Sequence, residues 1–163
     1  MKNIYILFLF VILFSCSTKN RNEIHLFNGL RLKLNSQEHI VKIQPSVKDK
    51  YTSYFNSQTI QIPLFKHIIH SNYDIFVGIP FNTTIQELSK EKSKITCDTV
   101  YVFNSDSNSY YQKYIKNNLY ITEYAKEYKD KGLLYISSVT KSKKISDSLF
   151  NQLDICKRIT IIE

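Results

Sequence analysis

The first feature of the hydrophobic pattern is an unbroken apolar run near the N-terminus. Ile4–Phe14 contains no polar position, and a single lysine, Lys2, precedes it. These eleven residues would form a helix of about 16 Å, roughly half the thickness of the hydrocarbon core of a bilayer. The run also lacks the polar face of an amphipathic core helix. We therefore predict a secretory signal rather than a membrane span or a core element.

The residues that follow resemble the lipobox of bacterial lipoproteins. Leu13, Phe14 and Ser15 stand directly before Cys16, so that a small residue precedes a cysteine. In that family a peptidase cuts before the cysteine, whose thiol carries a diacylglycerol and whose new amine is usually acylated. The chemistry requires a cysteine because only a thiol is nucleophilic enough under mild conditions. The resemblance implies that residues 1–15 are a signal peptide and that Cys16 carries the lipid, with palmitate among its fatty acids.

A short polar segment, residues 16–23, leads from this cysteine to the next apolar pattern. The seven residues after Cys16 reach at most about 25 Å, so we expect the domain to stay near the lipid surface. Two or three acyl chains anchor a protein stably. Ser17 stands where the resemblance to enterobacterial lipoproteins would need Asp for retention in the inner membrane. We therefore expect attachment to the outer membrane, on its periplasmic face.

Strand patterns dominate the rest of the chain. Asn28-Gly29 between two apolar runs predicts a tight hairpin turn, and Leu30–Leu34 alternates leucine with charge, which predicts one buried face. Residues 119–126 fit a helix or a strand, and we favour a strand that turns at residues 129–132 and returns as Leu133–Val139. Further strands are predicted at residues 39–43, 59–62, 73–79, 99–103 and 159–162.

Helix signals are fewer. Thr84 and Glu87 have the spacing of a capping box, which predicts a helix over Ile85–Lys92. A second helix is predicted after Ser146. Its inward side chains are expected to be Leu149, Phe150 and Leu153.

Strand hairpins with about two helices predict an α+β fold, a single small domain over residues 24–163 built mainly on an antiparallel sheet. One domain also fits the 148 residues that remain once residues 1–15 are removed. The layout is faintly like the PsbP/Mog1-type sandwich. No residue motif carries this likeness, and no prediction is drawn from it.

The charge of the chain is strongly positive, at +8, or +7 without Lys2. Nearly all of it is lysine, whereas arginine is the residue that reads phosphates and bases in two-point contacts. We therefore expect no nucleic-acid partner. An anionic membrane surface or another anionic envelope polymer fits better, with a lysine-coated soluble surface as the alternative. The local clusters are Lys126/Lys129/Lys131, Lys141/Lys143/Lys144 and Lys157/Arg158.

Candidate chemistry is sparse. His67, His70 and Asp74 are close in sequence, but on a strand His67 and His70 face opposite sides, so no metal site is predicted. No catalytic residue and no cofactor is predicted, because serine-elbow, zinc-protease and phosphate-loop motifs are absent from the sequence. Tyrosines such as Tyr110, Tyr111 and Tyr114 suit a carbohydrate or peptide site, but we favour a role in the core and sheet.

Two functions remain open at this stage. The first is a non-catalytic binding module of the cell envelope, of the membrane-assembly or immunity type, with another envelope protein as its partner. The alternative is a small envelope hydrolase whose active site is assembled in space, because carboxylate pairs are recognised by their separation and not by sequence. We favour the binding module, and we predict that the protein is not an enzyme.

The cysteine count generates one testable prediction. With Cys16 lipidated, Cys97 and Cys156 form an even pair in an oxidising compartment, which raises the hypothesis of a disulfide between them; the alternative is two buried free thiols. The bond would close a loop of about 60 residues and stabilise the fold by roughly 4 kcal/mol. Alkylation of the unfolded, unreduced protein should therefore modify neither thiol, whereas two alkylated cysteines would show that both are free.

Overall fold

The structure, a computed structural model, describes residues 22–57, 59–151 and 157–162, which contain ten strands and three helices. In chain order the elements are β1 (Glu23–His25), β2 (Leu30–Lys33), β3 (His39–Val41), α1 (Pro45–Phe55), β4 (Leu64–His70), β5 (Tyr73–Gly78), α2 (Ile85–Lys92), β6 (Thr99–Ser105), β7 (Ser109–Lys116), β8 (Leu119–Tyr128), β9 (Gly132–Thr140), α3 (Lys143–Asn151) and β10 (Ile159–Ile161). No helix within these ranges has the length and apolar character that a bilayer span requires.

The strands form two antiparallel sheets. The long sheet has seven strands in the order β3-β4-β5-β9-β8-β7-β6, and the short sheet has three in the order β1-β2-β10. In the long sheet β9 pairs with both β5 and β8, and this pairing joins the early hairpin to the later ones. The architecture is α+β and mainly antiparallel, which confirms the predicted fold class.

Both faces of the long sheet are covered over its central strands. Because side chains alternate along each strand, neighbouring residues enter different cores. One face packs against α1 and α2 through residues such as Phe55, Phe76 and Tyr135. The other face packs against the short sheet, where Leu32 of β2 meets the Ile75 side of β5. Helix α3 lies on this second face, against β8 and β9. The domain therefore has three layers, with the long sheet in the middle.

The predicted β1–β2 hairpin is confirmed. It turns at Asn28 and Gly29, which have φ values of 46° and 80°, the left-handed region that this pair of residues tolerates best. The alternating leucines Leu30, Leu32 and Leu34 are buried. The favoured hairpin between residues 119–126 and 133–139 is also confirmed, as β8 and β9.

The predicted helix over Ile85–Lys92 is confirmed with the same bounds, as α2. Its capping box is complete. The hydroxyl of Thr84 accepts a hydrogen bond from the Glu87 N–H at 3.2 Å, and the Glu87 carboxylate accepts one from the Thr84 N–H at 2.9 Å. These two bonds satisfy backbone donors that the first turn would otherwise leave open.

The strand predicted at residues 59–62 is wrong. Ile60 and Ile62 are buried, as the apolar alternation implied, but they pair with no strand. The Ile62 N–H instead donates to the side-chain oxygen of Asn56 at 2.8 Å, and Pro63 has no N–H to donate. The segment therefore covers the core as irregular chain.

Helix α1 was not predicted from the sequence. It begins at Pro45, whose fixed φ suits the first helical position. Its apolar residues Val47, Tyr51, Tyr54 and Phe55 follow helical spacing and pack on the first core. Strands β4 and β7 were also not predicted from the sequence. Helix α3 begins at Lys143, whereas it was predicted to begin only after Ser146. Its Leu149 is buried, and the Phe150 side chain and Leu153 lie outside the described residues.

A buried carboxylate joins the helical layer to the long sheet. Glu123 of β8 is fully buried and lies 2.8 Å from the Nζ atom of Lys92, at the end of α2. Lys92 also donates to the Phe55 carbonyl at the end of α1, at 2.5 Å. Tyr114 donates to Glu123 at 2.9 Å, and Tyr110 donates to its other oxygen. Glu123 thus connects α2, β7 and β8, and Lys92 extends the cluster to α1.

The ionisation of these groups follows from burial and from the Glu123 charge. Burial and the neighbouring carboxylate raise the pKa values of Tyr110 and Tyr114 well above 10, so both phenols stay protonated donors. Burial lowers the pKa of Lys92, while the Glu123 carboxylate acts in the opposite direction. The lysine therefore depends on this single carboxylate for its charge.

Replacing Glu123 by Gln should destabilise the domain strongly. The substitution keeps the side chain's shape but leaves the Lys92 ammonium buried without a counter-charge, which costs about 3–5 kcal/mol of unfolding free energy. Urea unfolding followed by circular dichroism measures the loss. Glu127→Gln, the same change at an exposed position of the same strand, is the control and should cost less than about 0.5 kcal/mol. Equal losses for the two variants would contradict the assignment.

Candidate functional site

Three connections lie together at one end of the long sheet, which we call the entry end. They are the β4–β5 turn at Ser71–Asn72, the β7–β8 turn at Asn117–Asn118, and the β9–α3 connection at Lys141–Ser142. The described chain begins at the same end, because the carbonyl of Asn22 accepts a hydrogen bond from the Leu34 N–H at 2.5 Å. The hairpin turn of β1 and β2 lies at the opposite end, where Asn28 donates to the Lys131 carbonyl.

Three open cavities of similar size adjoin the β4–β5 turn at the entry end, and Tyr73 lines two of them. The first, of about 490 Å³, reaches from Tyr51 of α1 to Lys141 and contains Asp74. The second, of about 500 Å³, lies between the β4–β5 turn and α3 and is lined by Lys144. His70, Asn72, Ser142 and Ile145 also line both cavities.

Tyr73 is held firmly between these cavities. Its ring stacks on the His70 ring, with centroids 4.3 Å apart, and its hydroxyl donates to Glu38 at 2.8 Å. Burial and the Glu38 carboxylate raise the pKa of Tyr73 to about 12. The phenol is therefore a fixed donor to Glu38 and not a proton-transfer group near neutral pH.

Glu38 forms a second buried charge cluster, directly beneath the second cavity. Arg158 donates to both of its oxygens, at 2.9 Å to one of them, and its Nε donates to the Lys33 carbonyl at 2.6 Å. The Asn35 N–H also donates to Glu38, at 2.8 Å. Burial alone raises the pKa of Glu38, but the bonds from Arg158, Asn35 and Tyr73 lower it below its usual value. The Glu38 carboxylate is therefore ionised, and its negative charge is balanced by the Arg158 guanidinium.

The two cavities differ in charge. Asp74 lines the first one, where its carboxylate contacts His67 at 2.9 Å. No acidic side chain is among the residues described as lining the second cavity, whereas Lys144 is exposed there. Within the described part of the chain, no ion pair involves Lys144 or Lys141. The second cavity is therefore the better place for an anion.

The histidines lie as predicted on opposite faces of β4. His67 is buried and stacks on Phe76 on the α1 side, whereas His70 stacks on Tyr73 on the other side. In residues 22–57, 59–151 and 157–162, no group of three or more His, Cys, Asp or Glu side chains is arranged to hold a metal ion. The His67–Asp74 pair has the first two parts of a hydrolytic triad, yet the hydrogen bonds of the described side chains bring no serine, threonine or cysteine to the His67 ring.

The tyrosine and arginine predictions have different outcomes. Tyr110 and Tyr114 are fully buried, which confirms the favoured role in the core, and Tyr111 is half-buried. Arg158, assigned from the sequence to a basic cluster with Lys157, is buried in the ion pair with Glu38, so this assignment is wrong. Sequence spacing gives no sign of this pair, because its partners are 120 residues apart.

The predicted cysteine sites are only partly visible. Cys16 and Cys156 lie outside the described residues, so lipidation and the disulfide stay predictions. Cys97 is half-buried beside the first core, and burial raises the pKa of its thiol. A raised pKa reduces the thiolate fraction, which makes Cys97 a poor nucleophile.

The three-dimensional fold is similar to one that has been solved. The solution structure of cyanobacterial PsbP (CyanoP) from Synechocystis sp. PCC 6803 matches with a TM-score of 0.50 and 9% sequence identity, covering 91% of this chain and 98% of that one. At this identity the likeness concerns the fold alone. No family model matches the chain, and no curated protein matches it in sequence.

Replacing Glu38 by Gln should change how stability depends on pH. The folded-state pKa of Glu38 is lowered, so its contribution is present above about pH 4.5 and is lost as the pH falls through the folded pKa. At pH 7 the variant should lose about 3–5 kcal/mol, because the Arg158 charge stays buried without its partner. The difference from wild type should shrink as the pH falls below 4.5.

Urea unfolding at pH 7, 5, 4 and 3 tests this expectation. Glu23→Gln is a matched control, because Glu23 pairs with the half-exposed Arg31 at 3.4 Å and such pairs contribute at most about 1 kcal/mol. A Glu38→Gln loss that is the same at every pH would contradict the charged state of the cluster.

Proposed function

We propose that this protein is a lipoprotein of the bacterial cell envelope, anchored through Cys16, and that its α+β domain is a non-catalytic binding module. The observation that carries the proposal is the position of Asn22. The segment that follows the lipobox joins the domain at the entry end, beside the two cavities and the exposed lysines Lys141 and Lys144. The anchor and the candidate binding surface are thus at the same end.

The tether sets the reach of the domain. Cys16 and Asn22 are separated by six residue steps, which span at most about 20 Å when fully extended. We propose that the entry end, where the tether joins the domain, faces the lipid on the periplasmic side of the outer membrane. The opposite end, with the hairpin turns at Asn28–Gly29 and residues 129–131, faces away and is open to another envelope protein.

The buried ionisable groups bond to other side chains of the domain, and this supports binding rather than catalysis. Glu123 is bonded to Lys92 and two tyrosines, and Glu38 is bonded to Arg158 and Tyr73. Perturbed groups at active sites face a cleft that a substrate enters. Here the Glu123 cluster is enclosed between α2 and the sheet, and the Glu38 cluster fixes the wall of a cavity.

The anchoring half of the proposal is tested by labelling cells with radioactive palmitate. Wild-type protein should incorporate the label and fractionate with the membrane, whereas Cys16→Ala should incorporate none, because it lacks the only thiol at the predicted cleavage site. Cys97→Ala and Cys156→Ala are the matched controls and should be labelled like wild type. Equal labelling of Cys16→Ala and wild type would overturn the proposed anchor.

A further inference from the structure

We infer that the 500 Å³ cavity beside Lys144 binds the phosphate headgroup of an anionic phospholipid in the membrane to which the protein is anchored. This inference rests on the proposed function, because it uses the lipid anchor to bring the entry end to the membrane. It assigns the headgroup to one cavity and one lysine rather than to the basic surface as a whole.

The lining of the cavity matches a phosphodiester. Lys144 carries a positive charge, Asn35, Asn72 and Ser142 are polar residues that carry N–H or O–H groups, and no described lining residue is acidic. Charge-assisted bonds from a lysine and several neutral donors are how proteins hold phosphate groups outside arginine sites. Ile145 and Leu149 line the same cavity and provide apolar contact for the glycerol part of a lipid.

The wall of the cavity is fixed before any ligand binds. Tyr73 is stacked on His70 and bonded to Glu38, and Glu38 is held by Arg158. Because Arg158 neutralises Glu38, the nearest buried carboxylate does not repel an anion. The 490 Å³ cavity is less suited to an anion, because the Asp74 carboxylate lines it.

The position of the cavity relative to the chain's entry point supports a lipid rather than a soluble phosphate. Asn35, which lines the cavity, follows Leu34, whose N–H bonds to the Asn22 carbonyl. An anchored domain therefore presents this cavity within the reach of its own tether, where headgroups are concentrated. A lysine near such a surface gains about 1 kcal/mol.

The test uses the mature chain, residues 16–163, with Cys16→Ser so that it carries no lipid. Co-sedimentation with phosphatidylcholine vesicles containing phosphatidylglycerol measures its affinity. Lys144→Glu should weaken binding on the order of thirtyfold, because one attractive charge at the surface becomes repulsive. Lys129→Glu changes the net charge equally but lies in the β8–β9 turn, about 30 Å away along β9. Both variants are compared at physiological ionic strength, where the screening length is about 8 Å and shorter than this distance, so the effect of Lys129→Glu should be below about twofold.

A second measurement locates the ligand. Dihexanoyl phosphatidylglycerol, below its micelle concentration, should shift the backbone amide resonances of Asn72, Tyr73, Ser142 and Lys144. Dihexanoyl phosphatidylcholine should shift them far less. If inorganic phosphate gives the same shifts at the same concentration, the site is one for free anions and the lipid assignment is overturned.

Two further outcomes would also overturn the inference. One is an equal weakening by Lys144→Glu and Lys129→Glu, which would mean diffuse attraction by the whole surface. The other is no binding to phosphatidylglycerol vesicles at low salt. Because this protein carries no acyl chain, these results are independent of the palmitate experiment, and either proposal can fail alone.

Discussion

The Glu123 carboxylate is the interaction on which the arrangement of the layers depends. A buried charge is tolerated only when it is paired and its hydrogen-bonding capacity is filled. Here Lys92 comes from α2, Tyr110 and Tyr114 come from β7, and the lysine's further bond to the Phe55 carbonyl reaches α1. Any shift of α2 along the sheet would break both bonds of Lys92, to Glu123 and to the Phe55 carbonyl, and would leave the Glu123 charge unpaired. The cluster therefore fixes the register of the helical layer, which apolar contacts alone specify less strictly.

On the other side of the long sheet, the Glu38 cluster joins the short sheet to the long sheet. Arg158 stands just before β10, and its guanidinium bonds to Glu38 and to the Lys33 carbonyl at the end of β2. Tyr73 extends the cluster into β5 of the long sheet. The short sheet is thus attached to the long sheet by polar bonds as well as by its leucines. This attachment is also what shapes the wall of the entry-end cavities.

The sequence predicted those elements that are determined by residues close to one another in the chain. Thr84 and Glu87 are three residues apart and stabilise the start of α2 by themselves, so the residue at which it begins was predictable. The buried pairs were not, because Lys92 and Glu123 are 31 residues apart and Glu38 and Arg158 are 120 apart. Nothing near Arg158 in the sequence distinguishes a buried arginine from a surface one. The same limit hid the two cavities, because the wall of the first comes from four separate segments of the chain and the wall of the second from three.

The pairing of β1 has a mechanical consequence for an anchored domain. A pull on Asn22 directed away from the Asn28–Gly29 turn runs along the axis of β1, parallel to β2. The hydrogen bonds between the two strands then carry the load at the same time, in shear, instead of opening one after another as they would under a perpendicular force. β2 is held on its other side by β10, so the load passes into the body of the domain. With the proposed anchor at Cys16, this pairing would let the domain stay folded under a force applied along the tether.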